Sequence, residues 1–452
     1  YQKQIFLNID KDINYNYKTK IELGDITMEN INEIFDASIQ KYTKDRVLEG
    51  GIKKAFKGNW GGSPHTKRPG ILQDLSRLSY NAFISNLRKL NLPLDASAKV
   101  VGPRLCHSSQ YGIIDPIDTP DGGNVGLHKH MSITAYITRG CMSKDIINWL
   151  INNDDLNITL LQQTTPDLLK KQSKVFVNGS WIGITPNPKD TQRVLKESRR
   201  SGLIPLYTSI SWDISNSIIN IYTDSGRLCR PVFFINEQGN VSNQRIKNSY
   251  DNLNWKNLVG GFANSEIPNY DNRKTCKCYS LQELYKKTKL SELEETQAVI
   301  EYIDTAESEG ALIATNKEKI NGKTQYTHLE IHPSFILGVM GNQVVFPENN
   351  PLPRDLFACG QMRQAVSLYH SNYQSRIDKM GVVLNNGQVP LVKSRYLQKI
   401  NNEEHPYGEN VMVAIMCYGG YNVEDSILFN EGSIKRGLFR TTYYNSYEDR
   451  EE

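Results

Sequence analysis

Apolar positions recur at helical spacing from Glu29 onward, through Ile31, Ile34, Phe35, Ile39, Tyr42 and Val47, and Gly50-Gly51 predicts the stop. A second helical stripe carries Ile71, Leu72, Leu75, Leu78, Phe83, Leu87 and Leu90. Arg77, Arg88 and Lys89 lie on its other side, and Pro93 ends it. Between residues 93 and 130 the periodicity stops. Prolines 93, 103, 116 and 120 and glycines 102, 112, 122, 123 and 126 leave little room for helix. Val100, Val101, Leu105, Tyr111, Ile113, Ile114, Ile117 and Leu127 nevertheless offer buried anchors, so the stretch reads as an ordered loop, either a functional one or an Ω-loop packed on its own side chains.

Farther along, Ile146–Ile151 is a short apolar helix, and Lys174–Gly183 is a hairpin turning at Asn178-Gly179. A helix capped by Asp190 or Thr191 runs to Gly202. Two strand-like runs come next, Ile218–Thr223 and Arg230–Ile235. Trp255–Val259 and Tyr285–Asp304 are polar and rich in Glu and Lys, which predicts an exposed helical region. Val344–Phe346 reads as a short strand, and Asn349–Pro353 as a stiff turn delivering Arg354. A helix begins at Asp355, with Met362, Val366, Tyr369 and Tyr373 as core positions. Last, the apolar run Val411–Tyr418 predicts a strand buried on both faces, broken by Gly419-Gly420.

Length and charge narrow the classes. A chain of 452 residues has room for roughly two to four domains. The net charge is only +4, so any surface for a polyanion must be local. Seven scattered cysteines suit reduced thiols, and Cys276-x-Cys278 lacks the second pair that a zinc site needs, so no zinc is predicted. No apolar run approaches the ~18 residues of a membrane span. The chain begins at Tyr1 and ends at Glu451-Glu452, which reads as a piece of a longer polypeptide. Heavy use of Asn, Ile, Lys and Tyr suits an AT-rich genome, as in a large DNA virus or a protist.

Three places carry candidate chemistry. Glu424 and Asp425, adjacent after the glycine turn, suit a partly hydrated Mg²⁺, or else a polar turn capping the next segment. Arg354 on its stiff turn suits a phosphate, or else a nearby carboxylate. The 93–130 loop offers Lys99, Arg104, His107 and Lys129 to a phosphate backbone, and carboxylates at Asp115, Asp118 and Asp121. Lys196, Arg199 and Arg200 form a basic last turn, read as a solvated face complementing the helix dipole in preference to a nucleic-acid contact.

Four motifs then occur in one order. They are His107-x-x-x-Tyr111-Gly112 with Pro116–Gly122 and Asn124–Leu127; Glu330-x-His332-Pro333-Ser334; Gln361–Val366; and Gly420-Tyr-Asn-x-Glu424-Asp425-x-Ile427. Together they resemble the second-largest subunit of multisubunit DNA-directed RNA polymerases. Val175–Gly179 and Gly226-Arg227-x-x-Arg230-Pro231 resemble that subunit's external domains, and Trp255–Val259 and Glu301–Asp304 fit the same family. The family usually has Glu where this chain has Asp118 and Asp121, one methylene shorter.

The resemblance implies an α+β, multidomain fold: the end of a protrusion-like domain (1–55), a fork domain (56–145), external domains 1 (146–240) and 2 (241–310), and the first part of a hybrid-binding domain (311–452). It implies transcription by Mg²⁺-dependent nucleotidyl transfer onto an RNA 3′ end. Arg354 would face the nucleotide triphosphate, and Glu424 and Asp425 would approach a nucleotide-borne Mg²⁺. Arg104, His107, Asp121, Arg363 and Gln364 would meet nucleic acid. Implied partners are the largest subunit, smaller assembly subunits, template DNA, transcript and nucleoside triphosphates, with no membrane. The implied setting is the nucleus or cytoplasm, or a viral factory or virion. The tightly held Mg²⁺ would belong to the largest subunit, so this piece alone is expected to be inactive. A scaffold that has lost catalysis is the alternative. A metal hydrolase built on Glu424-Asp425 fits less well, because no His-Glu-x-x-His motif accompanies the pair.

Overall fold

The computed structural model describes residues 2–22, 42, 45–57, 72–152, 156–202, 204–236, 238–244, 254–260, 297–320, 324–401 and 403–451. The chain divides into two compact units, one of residues 1–75 with 91–95 and the other of residues 76–90 with 96–452.

In the first unit the described elements are the helices Gln2–Glu22 and Asp45–Phe56. The second helix runs straight through Gly50-Gly51, where the sequence predicted a stop. Glycine inside a helix costs about 1 kcal/mol, which weakens a helix without necessarily ending it, so the pair does not act as a stop. The predicted stripe from Ile31 to Ile39 lies outside the described residues.

Among the described residues, the second unit holds two five-stranded sheets. The first has the spatial order Thr159–Leu160, Ser180–Thr185, Ser173–Val177, Ile218–Tyr222, Ser209–Asp213. Its hairpin turns where Asn178-Gly179 predicted, with φ of 47° and 81° at the two turn residues. Ser173–Val177 pairs in parallel with Ile218–Tyr222, and the intervening chain includes the helix Pro188–Arg200. Ile146, Trp149 and Leu150 from the helix Ser143–Asn152, with Leu195, pack on Val175, Val177, Ile210, Ile219 and Ile221 to form one core. The second sheet centres on Leu228–Phe234, flanked by Ile300–Asp304 and His328–Leu329. Ile300–Asp304 is thus a fully buried strand, not part of an exposed helix, because Val299, Ile300 and Tyr302 pack with Cys229. Residues 261–296, including Cys276 and Cys278, lie outside the described residues.

Four other expectations need correction. The stripe from Ile71 is a helix only over Tyr80–Leu87. Ser79 caps it by accepting from Ala82 N–H at 3.0 Å, and Leu72, Leu75 and Leu78 precede it, exposed. Arg199 is not solvated but 1% exposed, held by Glu301 and Glu307. Val344–Phe346 is no strand, since Phe346 adopts φ 49° ahead of Pro347. Val411–Tyr418 is neither strand nor buried, with Met412 and Ile415 fully exposed. Val and Ile favour extended backbone, but a ladder needs a neighbour, and among the described residues none pairs with this run.

Candidate nucleic-acid interface

The 93–130 loop is irregular, as predicted; Arg104 braces it from within, and Asp115 and Asp118 tie it to distant segments. Arg104 turns inward. Its Nη1 donates to the carbonyls of Gly123 (2.6 Å) and Val125 (3.0 Å), and Nη2 donates to those of Ala96 (3.0 Å) and Ala98 (3.4 Å). Asp115, buried, accepts from Ile117 N–H at 3.0 Å and from Gly338 N–H at 2.7 Å. Gly338 and Gly341 are needed there, because a Cβ at either would stand within 2.8 Å of the Asp115 carboxylate. Asp118, also buried, pairs with Arg363.

Burial, and secondarily the charge of Asp118, push the Asp115 carboxyl up to about 7. Its protonated form is therefore favoured by folding. The stabilisation is complete below about pH 4, the unfolded value, and is lost as pH rises through about 7. We expect the side-chain carbon of Asp115, followed by NMR, to titrate with a midpoint near 7. A midpoint near 4 would show that the carboxyl is not desolvated.

The helix that carries Arg354 begins at Leu352, earlier than predicted, and runs to Gln364. Arg354 therefore sits in the first helical turn, not on the preceding loop. Its guanidinium lies over the Phe357 ring, 5.5 Å from the centroid. The far end of the helix is closed by the start of the Tyr80–Leu87 helix: Ser79 Oγ donates to the Arg363 carbonyl at 2.6 Å, and Asn81 Nδ2 to that of Met362 at 3.4 Å. One hydroxyl thus caps the start of one helix and an orphan carbonyl at the end of another. Behind them Asn81 and Gln343 exchange amide bonds of 3.2 and 3.4 Å in a buried pair.

These contacts make a groove of about 480 Å³ between the loop and the two helices. Ser85, Lys89, Asp121, His130, Arg363 and Gln364 supply most of its polar lining. Burial, together with the facing guanidinium of Arg363, lowers the Lys89 ammonium pKa. Burial likewise lowers that of His130. Of the sequence candidates, Asp121, Arg363 and Gln364 meet here although some 240 residues separate them. Ser85, His130 and Phe357 were not foreseen. Their only sequence signal was the helix and loop that carry them.

The other candidates lie elsewhere. His107 is exposed, and its Nδ1 accepts from Ser109 N–H at 3.2 Å to cap a short turn. Arg354, nine residues before Arg363, lies about 13 Å away along the axis and roughly half a turn around it. Glu424 and Asp425 are exposed in a tight loop. Their φ values of 56° and 63°, with Ser426 N–H donating to Val423 O at 3.1 Å, are those of a type I′ turn. Asn422 clips that loop to itself, accepting from Tyr418 N–H at 3.0 Å and donating to Met416 O at 2.5 Å. Two carboxylates suit an outer contact to a cation carried by a ligand, but not a closed site. Among the described residues no three His, Cys, Asp or Glu side chains come together around a common point. No helix of the described residues is long and apolar enough to cross a membrane.

Comparison with known proteins adds a second line. Residues 73–137 match the family described as RNA polymerase Rpb2, domain 3, residues 175–236 match domain 4, and residues 340–452 match domain 6. The chain belongs to the second-largest RNA polymerase subunit family. It is 32% identical over 434 residues to DNA-directed RNA polymerase II subunit 2 of Arabidopsis thaliana, covering 92% of this chain and 33% of that one. It is 30% identical over 404 residues to DNA-directed RNA polymerase subunit Rpo2 of Sulfolobus acidocaldarius, covering 87% and 32%. Against DNA-directed RNA polymerase subunit 2 of Acanthamoeba polyphaga mimivirus it is 30% identical over 454 residues, covering 98% and 36%. The chain spans about a third of the length of these second-largest-subunit relatives. The groove is built from the segments matching domains 3 and 6, so two family segments distant in sequence share one surface.

Proposed function

We propose that this chain works within a DNA-directed RNA polymerase, in transcription, where it contributes contacts to nucleic acid and to the incoming nucleotide. The observation that carries this is the groove, where Arg363, Gln364 and Lys89 line one concave surface with the fork loop. Cationic and amide side chains on a rigid wall suit a sugar-phosphate backbone. The partners in this reading are the largest and smaller polymerase subunits, template DNA, transcript and nucleoside triphosphates, and the domain names and bounds assigned are those that the resemblance implies.

Arg354 is assigned to the nucleotide phosphates. It is exposed at the start of a helix, so its guanidinium is open to a phosphate. Glu424 and Asp425 are assigned to the outer side of a nucleotide-borne Mg²⁺. Two consecutive non-glycine residues at positive φ cost about 1–3 kcal/mol each, and such strain concentrates at functional sites. When bound, that ion would supply charge to the leaving pyrophosphate, the attacking oxygen being served by the Mg²⁺ assigned to the largest subunit. Arg104 and His107 act at one remove in this reading, holding the loop in shape for Asp121.

The assignment of Arg354 has a kinetic consequence. In the polymerase complex containing this chain, Arg354→Ala raises the KM for nucleoside triphosphate about tenfold or more, because a charge-assisted contact is worth roughly 1.5–3 kcal/mol. Single-nucleotide addition with unaltered kinetics would remove Arg354 from the site.

A further inference from the structure

Asp118 is 1% exposed, directly behind the groove, and its carboxylate accepts from Nη1 of Arg363. The same Nη1 lies 3.5 Å from Ser85 Oγ. His130 closes the other side, with Nδ1 2.9 Å from the Asp118 carbonyl oxygen and 3.3 Å from its carboxylate. Arg363 is thus gripped at one nitrogen, while its side chain remains 19% exposed and lines the groove. A guanidinium has five N–H donors in a planar fork, so fixing one nitrogen sets the direction of the rest.

We propose that Asp118 is the positioning residue of this groove: it holds Arg363 by Nη1 and aims the rest of the guanidinium at a backbone phosphate of the bound nucleic acid. This rests on reading the groove as a nucleic-acid contact. Asp118 itself, buried behind Arg363, touches no ligand. The fork loop positions it from both sides, through Asp115 on Gly338 and Thr119 Oγ1 on the His128 carbonyl at 2.9 Å.

A carboxylate can act on a neighbouring cation in two opposite ways. If Asp118 only damped the charge of Arg363, removing it would raise the local positive potential and tighten phosphate binding. If it positions Arg363, removing it loosens binding although the charge balance has moved the favourable way. The sign separates the two.

The test uses stalled RNA–DNA complexes of the polymerase containing this chain, with their half-life measured at several salt concentrations and assembly checked by melting. Arg363→Ala and Asp118→Asn each shorten the half-life about tenfold or more, as expected for truncating a desolvated charge pair. The double variant is no worse than Arg363→Ala alone, and Asp118→Glu restores most of the loss. Asp118→Ser, smaller and neutral, carries the same test if the Asn variant does not assemble. A longer half-life in Asp118→Asn, an unchanged one, or losses that multiply in the double variant would overturn the positioning role while leaving the groove reading in place. No effect of Arg363→Ala would overturn the groove reading itself, and the proposal with it.

Discussion

Arg199→Met lowers the stability of the folded chain by about 3–5 kcal/mol, the range for breaking a buried ion pair from one side. Arg199 Nη1 donates to Thr208 O at 2.7 Å and to the two Glu307 oxygens at 2.8 and 2.9 Å, and Nη2 donates to Glu301 at 2.9 Å. Burial alone would lower the Arg199 pKa, but Glu307 and Glu301 outweigh it and raise the value. The two carboxylates would not suffer equally from the substitution. Glu301 keeps Arg200, at 2.9 Å to each oxygen, and His328 at 2.7 Å. Among the described residues, Glu307 keeps the Ile210 N–H at 2.9 Å and the field of Lys196. Burial already raises its pKa, so Glu307 bears most of the loss. Adding Glu307→Gln to Arg199→Met should recover part of the stability, since the two effects share one contact. Denaturant midpoints measure both. A loss below about 1 kcal/mol for Arg199→Met would mean that the cluster is open to water.

Gly126→Ala disorders the 93–130 loop. Gly126 has φ 73°, and a Cβ there would stand 2.3 Å from the Arg104 carbonyl oxygen and 2.5 Å from its Cα, which are backbone atoms that cannot swing aside. The left-handed conformation alone costs an alanine roughly 1–2 kcal/mol. The clash adds to that, because it pushes on the residue whose guanidinium holds Gly123 and Val125. A total of about 3 kcal/mol or more is expected. Gly122→Ala is the internal control: its φ is 71°, but nothing lies within 4 Å of the added Cβ, so only the backbone cost applies. Hydrogen exchange should show faster opening of the Ile113, Leu127 and Ser132 amides in Gly126→Ala and little change in Gly122→Ala. Equal effects in the two variants would remove the packing argument.

Local chemistry was legible in the sequence, and long-range pairing was not. Asn178-Gly179 announced its hairpin because the turn depends on two residues' backbone preferences. The irregular 93–130 loop was likewise visible in its prolines and glycines. The stripe from Ile71 to Leu90 misled because helical spacing does not say where the backbone is first capped, and here Ser79 decides. Arg199 looked like a dipole-complementing surface residue, since its partners Glu301 and Glu307 lie about a hundred residues on. Val411–Tyr418 has strand composition, yet strand structure belongs to a pair of segments and not to one. The groove residues divide the same way. Arg363 and Gln364 were found by their motif, whereas Ser85, His130 and the restraint by Asp118 emerge only from packing.

The central claim is that the groove between the 93–130 loop and the Leu352–Gln364 helix meets a nucleic-acid backbone. The salt dependence of RNA–DNA retention by the polymerase containing this chain tests it most directly. If Arg363 neutralises one phosphate, Arg363→Ala makes the slope of log affinity against log salt shallower by about one. A slope identical to that of the unsubstituted enzyme would contradict the claim.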